Sequence, residues 1–510
     1  MFQRGGGIGR ILLIAVAVLG MTLTAPSLRS GLVADDLLHQ HHIQQVLKGG
    51  SQARWWDLFQ FVQDDPAMLD ARRSRGLLPW WTTTNLQIAF WRPLSAATHF
   101  LDHLLWPKKP WAMHAQSILW FGLLCWLVGR FYGRTMGVGA GAAVLAALLF
   151  AVDDVHGNTV GWVANRNALI AGVFCMLTLL AHRRWRLDGW RPGAALAPGF
   201  LLLSLLSAEA GITTFALLLA FALTLDPGRA GSRVRSLLPA MAVVLLWFAA
   251  YRWLGYGVHG SGLYLHPVED PMAYLQQLPT RAGQIMAILL SIPYALAMGP
   301  WAGAILLLCL ASTLLGVLLL LGHALINLRR DPQVRFWLLA TLLSLPPTAC
   351  APVHPRVLLL ASIPFAGWLA RLMTDLFRAR RWRVTSRLAL TVLAITHLVL
   401  APLVLVLSAG NSRGLAENIA RMGPDPLAAV PNLSRKQLII VNAPDYYSGQ
   451  LLSMARVVAG RQAPALSYFW CSTHQWLEVH RLDEWTLELY SPDWFGRDPL
   501  PANFRSPTAP

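Results

Sequence analysis

Charge is scarce in this sequence of 510 residues: Asp, Glu, Lys and Arg together make up 13%, whereas hydrophobic residues make up 55%. Soluble domains carry about a quarter charged residues, so the composition excludes an ordinary soluble domain and predicts an integral membrane protein. Cysteine is also rare, with five residues in no regular spacing, which excludes a disulfide-rich scaffold. No repeat with a period of about 30–50 residues is visible, so an array of short helical repeats is not expected.

Acidic residues are the rarer charge, 25 against 42 basic residues, and the net charge is +17. A strongly basic chain can bind nucleic acid, but here the arginines occur in short clusters between apolar segments. That pattern orients membrane helices with the basic loops in the cytoplasm. We therefore expect membrane lipid, and not nucleic acid, as a partner. The clusters are Arg130/Arg134, Arg183–Arg186 with Arg191, Arg229/Arg233/Arg235, Arg329–Arg330 with Arg335, and Arg378–Arg387.

Apolar stretches long enough to cross a bilayer predict the fold class: an all-α polytopic membrane bundle of about eleven transmembrane helices. If every basic cluster is cytoplasmic, two crossings separate neighbouring clusters, so the chain starts inside and ends outside. The apolar stretch 282–298 would break this parity, and we assign it to a re-entrant or interfacial helix. The predicted spans are 11–28, 112–130, 137–153, 160–181, 194–208, 210–225, 236–256, 302–326, 336–351, 357–376 and 388–408.

Two domains are predicted. Residues 1–408 form the transmembrane domain, which includes a long first outer loop at 29–111. Residues 409–510 form a small periplasmic α/β segment, because Lys436–Val441 and Trp485–Tyr490 have the composition and alternation of strands. The outer loops lie on the periplasmic or luminal face, and we expect the protein in a bacterial inner membrane.

Asp35 and Asp36 follow the first apolar segment directly. Carboxylates are costly near a membrane, so ionisable groups at such a position are functional candidates by default. We expect one of the two to act as a catalytic base and the other to orient that base or the donor. The alternative is that the pair is only a solvated stop signal at the end of the helix.

Other charged groups are predicted on the same outer side. Arginine binds phosphate in bidentate fashion, so these arginines are candidate ligands of a donor phosphate; contact with lipid head groups is their alternative role. A second set of carboxylates and a histidine could support the donor or hold Mg²⁺ or Mn²⁺, although Asp residues also suit a helix N-terminus. The arginines are Arg356, Arg252, Arg92 and Arg166, and the second set is Asp153, Asp154, His156 and Glu209.

Carboxylates and arginines at the outer side of a helical bundle predict the transfer of a sugar from a lipid phosphate. One carboxylate would remove the proton of an acceptor hydroxyl as that oxygen attacks the anomeric carbon. The arginines would stabilise the departing phosphate. Because phosphate leaves readily, no second acid is needed, and a single base attacking from the opposite side predicts inversion at the anomeric carbon.

Several short motifs occur in the same order as in the GT-C superfamily of membrane glycosyltransferases: Asp35-Asp36, Arg92-Pro-Leu-Ser95, Val155-His156, Val160-Gly-Trp-Val-Ala-Asn-Arg166 and Ser207-Ala-Glu209. Over roughly residues 1–375 the chain most resembles the membrane part of the transmembrane-and-tetratricopeptide O-mannosyltransferases and their bacterial relatives. The resemblance implies a GT-C-like fold and a mannosyltransferase-like reaction with a polyprenyl-phosphate-linked sugar as donor.

The chain departs from the family pattern at several positions. Asp153-Asp154 stands in place of a His-Pro pair, Asn158 in place of a Glu, Ala168 in place of an Asp, and Ala208 in place of a Lys. The tetratricopeptide array is absent, so the sugar, the acceptor and any metal requirement of the family do not transfer to this chain. A transporter or a non-catalytic protein that handles lipid-linked glycans is the alternative, although transporters often have two related halves and helices broken near mid-membrane.

Overall fold

The computed structural model of the chain describes residues 6–49, 54–74, 78, 82–137, 139–291, 302–379, 383–410, 427, 430–443, 461, 466–472, 478–483 and 487–490. The chain divides into two compact units. The larger unit comprises residues 1–63 and 87–417, and the smaller comprises residues 64–86 and 418–510. Residues 64–86 of the predicted first outer loop therefore group with C-terminal residues, which differs from the expected division at 408/409.

Helices dominate the described residues. In chain order they are α1 (Gly6–Thr24), α2 (Asp35–Leu47), α3 (Pro66–Ser74), α4 (Pro93–Leu105), α5 (Pro110–Thr135), α6 (Ala140–Ala151), α7 (Gly157–Gly161), α8 (Arg166–Asp188), α9 (Gly193–Leu205), α10 (Thr213–Thr224), α11 (Ala230–Trp253), α12 (Pro271–Leu290), α13 (Ala302–Asn327), α14 (Pro332–Ala349), α15 (Leu359–Arg378) and α16 (Arg383–Ala394), which continues through a π-helical turn at Ile395–Leu400.

Each of the eleven predicted apolar segments overlaps at least one of these helices. By length and hydropathy, six helices in the described part of the chain are suited to cross a membrane, or seven if the bent pair Ala140–Ala151 and Asp154–Gly161 is one broken span. A mostly helical membrane fold is thereby confirmed, and the count of eleven crossings stays a prediction. The six are Gly9–Arg29, Pro110–Thr135, Val163–Asp188, Ala230–Trp253, Leu307–Asn327 and Val384–Gly410.

Helix α12 begins at Pro271, whereas the apolar stretch 282–298 predicted a start near residue 282. Asp270 accepts a hydrogen bond from the Ala273 N–H, and Pro271 occupies the first helical position. Both features favour a helix start. The capping carboxylate accepts a hydrogen bond from an N–H of the first turn that has no partner within the helix, and proline has no N–H that would need a partner. Helix α12 is not among the membrane-crossing candidates; residues 292–298 lie outside the described residues, and the re-entrant or interfacial placement stays a prediction.

The core of the larger unit lies between α1, α5, α6, α8, α10, α14 and α15, and it contains large buried side chains such as Phe121, Tyr132 and Trp337. Glycines allow α7 to approach the end of the last helix closely. A Cβ added at Gly161 would lie 2.6 Å from the Ala409 carbonyl oxygen, so only glycine fits there without movement. This contact fixes the short helix that leads to residues 162–166.

A small antiparallel sheet and a second hydrophobic cluster lie beside the start of α4. The sheet has the order β1 (Gln60–Val62), β2 (Gln87–Ala89), β3 (Gly257–His259). The cluster contains Phe59 and Phe90, with Tyr264 packed against it. In the run 54–63, Phe59 is buried in this cluster, while Trp56 is exposed.

Helix α4 has its polar side chains inside and its leucines outside. Asp102 and His99 are buried, whereas Leu101, Leu104 and Leu105 are exposed. This arrangement is the reverse of a surface helix in water and suits a helix whose outer face meets lipid.

The smaller unit contains α3 and four strands, which are β4 (Gln437–Ala443), β5 (Leu466–Ser472), β6 (Glu478–Arg481) and β7 (Leu487–Tyr490). Strands β4 and β5 are parallel, and β6 and β7 are antiparallel. The two strands predicted at 436–441 and 485–490 are confirmed as β4 and β7, although residues 485 and 486 lie outside the described residues.

Candidate functional site

The two aspartates at the start of α2 have different surroundings. Asp36 is buried, and each of its carboxylate oxygens accepts a backbone N–H: Oδ2 from Val33 at 3.1 Å and Oδ1 from Ala164 at 2.6 Å. Asp35 is only partly buried, and its carboxylate has no hydrogen-bond partner among the described residues. Asp36 is therefore anchored, and Asp35 is the carboxylate available to a substrate.

The backbone that leads into the pair is strained. Ala34 has φ 48° and ψ −119°, a region that residues with a Cβ rarely adopt. Such strain costs of the order of 1–3 kcal/mol and persists only where the surroundings hold it, as at functional sites. The hydrogen bonds that Asp36 accepts from Val33 and Ala164 hold the backbone at Ala34 in this conformation.

Burial raises the pKa of Asp35 above its usual range, and the positive charges of Arg356 and then Arg92 oppose this rise. Burial also raises the pKa of Asp36, to about 7, against the hydrogen bonds from Val33 and Ala164. A carboxylate with a raised pKa is a stronger base than one in water. The site thus combines a free carboxylate with two nearby guanidinium groups.

Arg92 is held in place by Glu209. Its Nε donates to Glu209 Oε2 at 2.8 Å, and its Nη2 lies 2.7 Å from the same oxygen. Its guanidinium also lies over the rings of Phe90 and Phe59, at 4.2 and 5.1 Å from their centroids. Glu209 therefore positions Arg92. The sequence did not predict this pairing, because Glu209 lies between two apolar segments with no basic residue nearby in the chain.

Arg356 is the second cation whose charge acts on Asp35, and it has no carboxylate at salt-bridge distance among the described residues. Its guanidinium lies over Trp162, 4.6 Å from the ring centroid. The Trp162 Nε1–H is buried without an acceptor in the same part of the structure. Burial lowers the pKa of the nearby His354 to about 4, so Arg356 is the cation of this loop at neutral pH.

Two of the four predicted phosphate ligands are paired with carboxylates away from Asp35. Arg166 has a fully buried side chain, and its Nη1 donates to Asp102 Oδ2 at 2.5 Å. Arg252 is paired with Glu269. The charges of Arg356 and Arg92 act on Asp35, whereas Arg166 and Arg252 have carboxylate partners elsewhere; that all four arginines bind one donor phosphate stays a prediction.

The second predicted set does not assemble with Glu209. Asp153 accepts the Val155 N–H at 3.1 Å and so caps the short turn Asp154–His156. His156 is buried between Phe121 and Phe150, and Glu209 pairs with Arg92. Among the described residues no group of three or more His, Cys, Asp and Glu side chains could hold a metal ion. The divalent cation stays a prediction from sequence.

One residue near the site, Tyr264, carried no signal in the sequence, whereas Trp162 lies inside the motif Val160–Arg166. Tyr264 packs against Phe90, with 5.7 Å between ring centroids. Burial raises the pKa of its phenol, and the charges of Arg356, Arg92, Asp35 and Glu209 all act on it. Tyr264 therefore lies among the charged groups of the site.

Comparison with known proteins confirms the resemblance to O-mannosyltransferases over part of the chain. Over 141 residues, 26% of this chain, the sequence is 31% identical to protein O-mannosyl-transferase TMTC1 of Homo sapiens, and the match covers 16% of that protein. Over 137 residues, 25% of this chain, it is 28% identical to TMTC2 of Mus musculus, again with 16% of the relative covered. No protein-family model matches the chain.

Two solved structures are also similar. The archaeal oligosaccharyltransferase AglB from Archaeoglobus fulgidus, in complex with an inhibitory peptide and a dolichol-phosphate, is 13% identical with a TM-score of 0.47, over 92% of this chain and 65% of that one. ArnT from Cupriavidus metallidurans, bound to undecaprenyl phosphate, is 12% identical with a TM-score of 0.44, over 89% of each chain. Both TM-scores are below 0.5, too low to assign the fold.

Proposed function

We propose that this chain is a membrane glycosyltransferase of the GT-C type. It transfers a sugar from a polyprenyl-phosphate-linked donor to an acceptor hydroxyl on the periplasmic face of a bacterial inner membrane. The observation that carries the proposal is the Asp35 carboxylate, which has no hydrogen-bond partner among the described residues, feels the charges of Arg356 and Arg92, and directly precedes the anchored Asp36 in the chain. The partial similarity to O-mannosyltransferases supports sugar transfer to a hydroxyl.

In this proposal Asp35 is the general base. Its carboxylate accepts the proton of the acceptor hydroxyl as that oxygen attacks the anomeric carbon, and a raised pKa suits this task. Asp36 cannot serve equally well, because both of its oxygens already accept backbone N–H groups. Attack from the side of Asp35, opposite the leaving phosphate, inverts the anomeric carbon.

Arg356 is the principal ligand of the donor phosphate in this proposal. It carries a charge without a carboxylate partner in the described part of the chain, and the stacking on Trp162 fixes its orientation. The unpaired Trp162 Nε1–H adds a neutral donor beside this cation. Two donors of this kind suit an anionic oxygen, which is what a departing phosphate presents. Arg92, held in place by Glu209, adds a second positive charge near the phosphate.

Replacement of the base tests the proposal. We expect Asp35→Asn to lower the rate of sugar transfer from labelled polyprenyl-phosphate sugars by at least about a hundredfold, because general bases contribute about 10²–10⁴. The matched control is Asp270→Asn, another aspartate at a helix start on the same predicted face; asparagine caps as well as aspartate, so activity should be unchanged.

Two outcomes contradict the proposal in different ways. Transfer at the wild-type rate by Asp35→Asn would exclude Asp35 as the base. Binding of polyprenyl-phosphate sugar by the wild-type protein without transfer or hydrolysis would instead favour a non-catalytic or transport protein that handles lipid-linked glycans.

A further inference from the structure

The guanidinium of Arg166 is the centre of a buried polar cluster. Its Nε donates to Ser117 Oγ at 3.0 Å, its Nη2 to the Met113 carbonyl oxygen at 2.6 Å, and its Nη1 to Asp102 Oδ2. A further donation from Nη1 reaches Gln116 Oε1. The side chains of Arg166 and Asp102 are both 0% exposed. The cluster joins α4, α5 and the first residue of α8.

Such a pair is not explained by stability alone. The free-energy cost of removing two charges from water often equals or exceeds their attraction, and well-packed apolar residues can replace buried pairs without loss of stability. Four donations from one planar group do fix its position closely. The main effect of the cluster is therefore to fix the position of Arg166.

Arg166 stands directly after the short turn Val163–Asn165. Within this turn, the Ala164 N–H makes the 2.6 Å hydrogen bond to Asp36 Oδ1. Only Asn165 separates Ala164 from Arg166, so a shift of the arginine backbone moves this N–H. The second oxygen of Asp36 is bound by Val33, next to the strained Ala34. The Ala164 hydrogen bond is thus the long-range contact that holds the start of α2.

We propose that Arg166 and Asp102 are positioning residues: their buried pair fixes the Ala164 N–H, through it the Asp36 carboxylate, and so the backbone from which Asp35 projects. This inference rests on the proposed function, since it names what orients the base of that reaction. Arg166 touches neither donor nor acceptor in this account.

The test uses Arg166→Lys, which keeps the charge but cannot reproduce the four donations. We expect kcat to fall at least about tenfold, since small displacements of reacting groups can cost about a hundredfold. The donor KM should change by less than about twofold, because the interaction with bound donor is untouched. The acidic limb of the pH–rate profile, which reports the base Asp35, should move to lower pH: a weaker Ala164 hydrogen bond disfavours ionised Asp36, and a neutral Asp36 no longer repels the charge of Asp35.

The matched control lies at the other end of the same helix. Arg186 forms a second ion pair, with its Nε 2.7 Å from Asp226 Oδ2. We expect Arg186→Lys to lower thermal stability by an amount comparable with Arg166→Lys while leaving kcat and the pH profile unchanged. A purely structural role of Arg166 would make the two variants alike.

A double variant, Arg166→Met with Asp102→Leu, separates positioning from stability further. An apolar pair can restore the thermal midpoint, but kcat should stay low because no group then fixes Ala164. Recovery of kcat together with stability would overturn the inference. A raised donor KM with unchanged kcat in Arg166→Lys would also overturn it and would return Arg166 to the role of a donor ligand.

An infrared titration makes the result independent of turnover. The carboxyl band of Asp36, identified by its loss in Asp36→Asn, should titrate at higher pH in Arg166→Lys than in the wild-type protein. If the wild-type protein transfers no sugar, the proposed function fails, and this titration still decides the coupling. An unchanged midpoint would exclude the coupling even in an active enzyme.

Discussion

At the scale of single residues, adjacent aspartates in the sequence have unlike chemistry in the fold. Asp36 is bound by two backbone N–H groups, and Asp35 is bound by none among the described residues. Sequence analysis identified the pair but could not assign the two roles, because the decisive donor, Ala164, is 128 positions away from Asp36. The difference between anchor and base is a property of tertiary structure.

The raised pKa of Asp36 predicts a pH-dependent stability. Its pKa in the folded protein is about 7, above the ordinary value of 3.8. The folded state therefore keeps a proton that the unfolded chain has already lost, so this group makes the free energy of unfolding fall as pH rises from about 4 to about 7. Its charged neighbours are Asp35, which raises the pKa further, and Arg166, which lowers it.

Thermal unfolding in detergent, measured from about pH 4.5 to about pH 8, checks this prediction. This range covers most of the interval between the ordinary and the raised pKa of Asp36. The wild-type protein should lose stability relative to Asp36→Asn as pH rises through this range. The comparison with the variant removes the contribution of the buried histidines, whose titration has the opposite sign. A constant difference between the two proteins would contradict the raised pKa.

The arginines show where residue-level prediction from sequence ends. The charges of Arg92 and Arg356 act on Asp35, while Arg166 and Arg252 pair with Asp102 and Glu269. All four are arginines at the predicted outer ends of apolar segments, and composition gives no means of distinguishing them. Their carboxylate partners decide the outcome, and Asp102 carries no motif that would have pointed to its role.

At the scale of elements, the position of each apolar segment was predictable because hydrophobic length depends on local sequence. The start of α12 was not, since it depends on Asp270 and Pro271, which precede the apolar stretch. The reversed polarity of α4 was also missed. Its inward groups, Asp102 and His99, are polar, and their burial follows from contacts made by distant helices.

The start of α2 provides a prediction at this scale. Glycine adopts the backbone conformation of Ala34 without the cost that a Cβ imposes, so Ala34→Gly should raise stability by about 1 kcal/mol if relief of strain outweighs the added freedom of the unfolded chain. The same change loosens the connection between Val33 and Asp35, so we expect kcat to fall.

A thermal melt and a transfer assay on the same preparation measure both effects. The control is Gly9→Ala, in the first helix, where an added Cβ meets no atom within 4 Å; this change should leave kcat unaltered. A more active Ala34→Gly variant would show that the strained conformation does not orient the base.

At the scale of the whole molecule, composition predicted a membrane protein, and the six described helices suited to cross a membrane agree; the outer and inner faces stay a prediction from charge. The division into units was less predictable. Residues 64–86 group with the C-terminal residues, and no composition shift marks this stretch as different from the rest of the first loop. Nearness in the sequence therefore did not predict which compact unit residues 64–86 belong to.

The predicted sidedness can be measured directly. In a background without native cysteines, a membrane-impermeant thiol reagent should label Leu263→Cys in intact cells, because Leu263 is exposed in the segment that faces the site. Arg330→Cys, between α13 and α14, should be labelled only after the cells are opened. Labelling in the reverse order would place Asp35 in the cytoplasm and contradict the periplasmic reaction.

The two ion pairs of α8 limit how this protein can move. Arg166 is locked to Asp102 near one end, and Arg186 to Asp226 near the other. A helix of 23 residues is about 34 Å long, so a tether at each extremity prevents both sliding and rotation unless a buried charge is exposed. We therefore expect entry of the proposed lipid-linked donor to depend on displacement of helices other than α8.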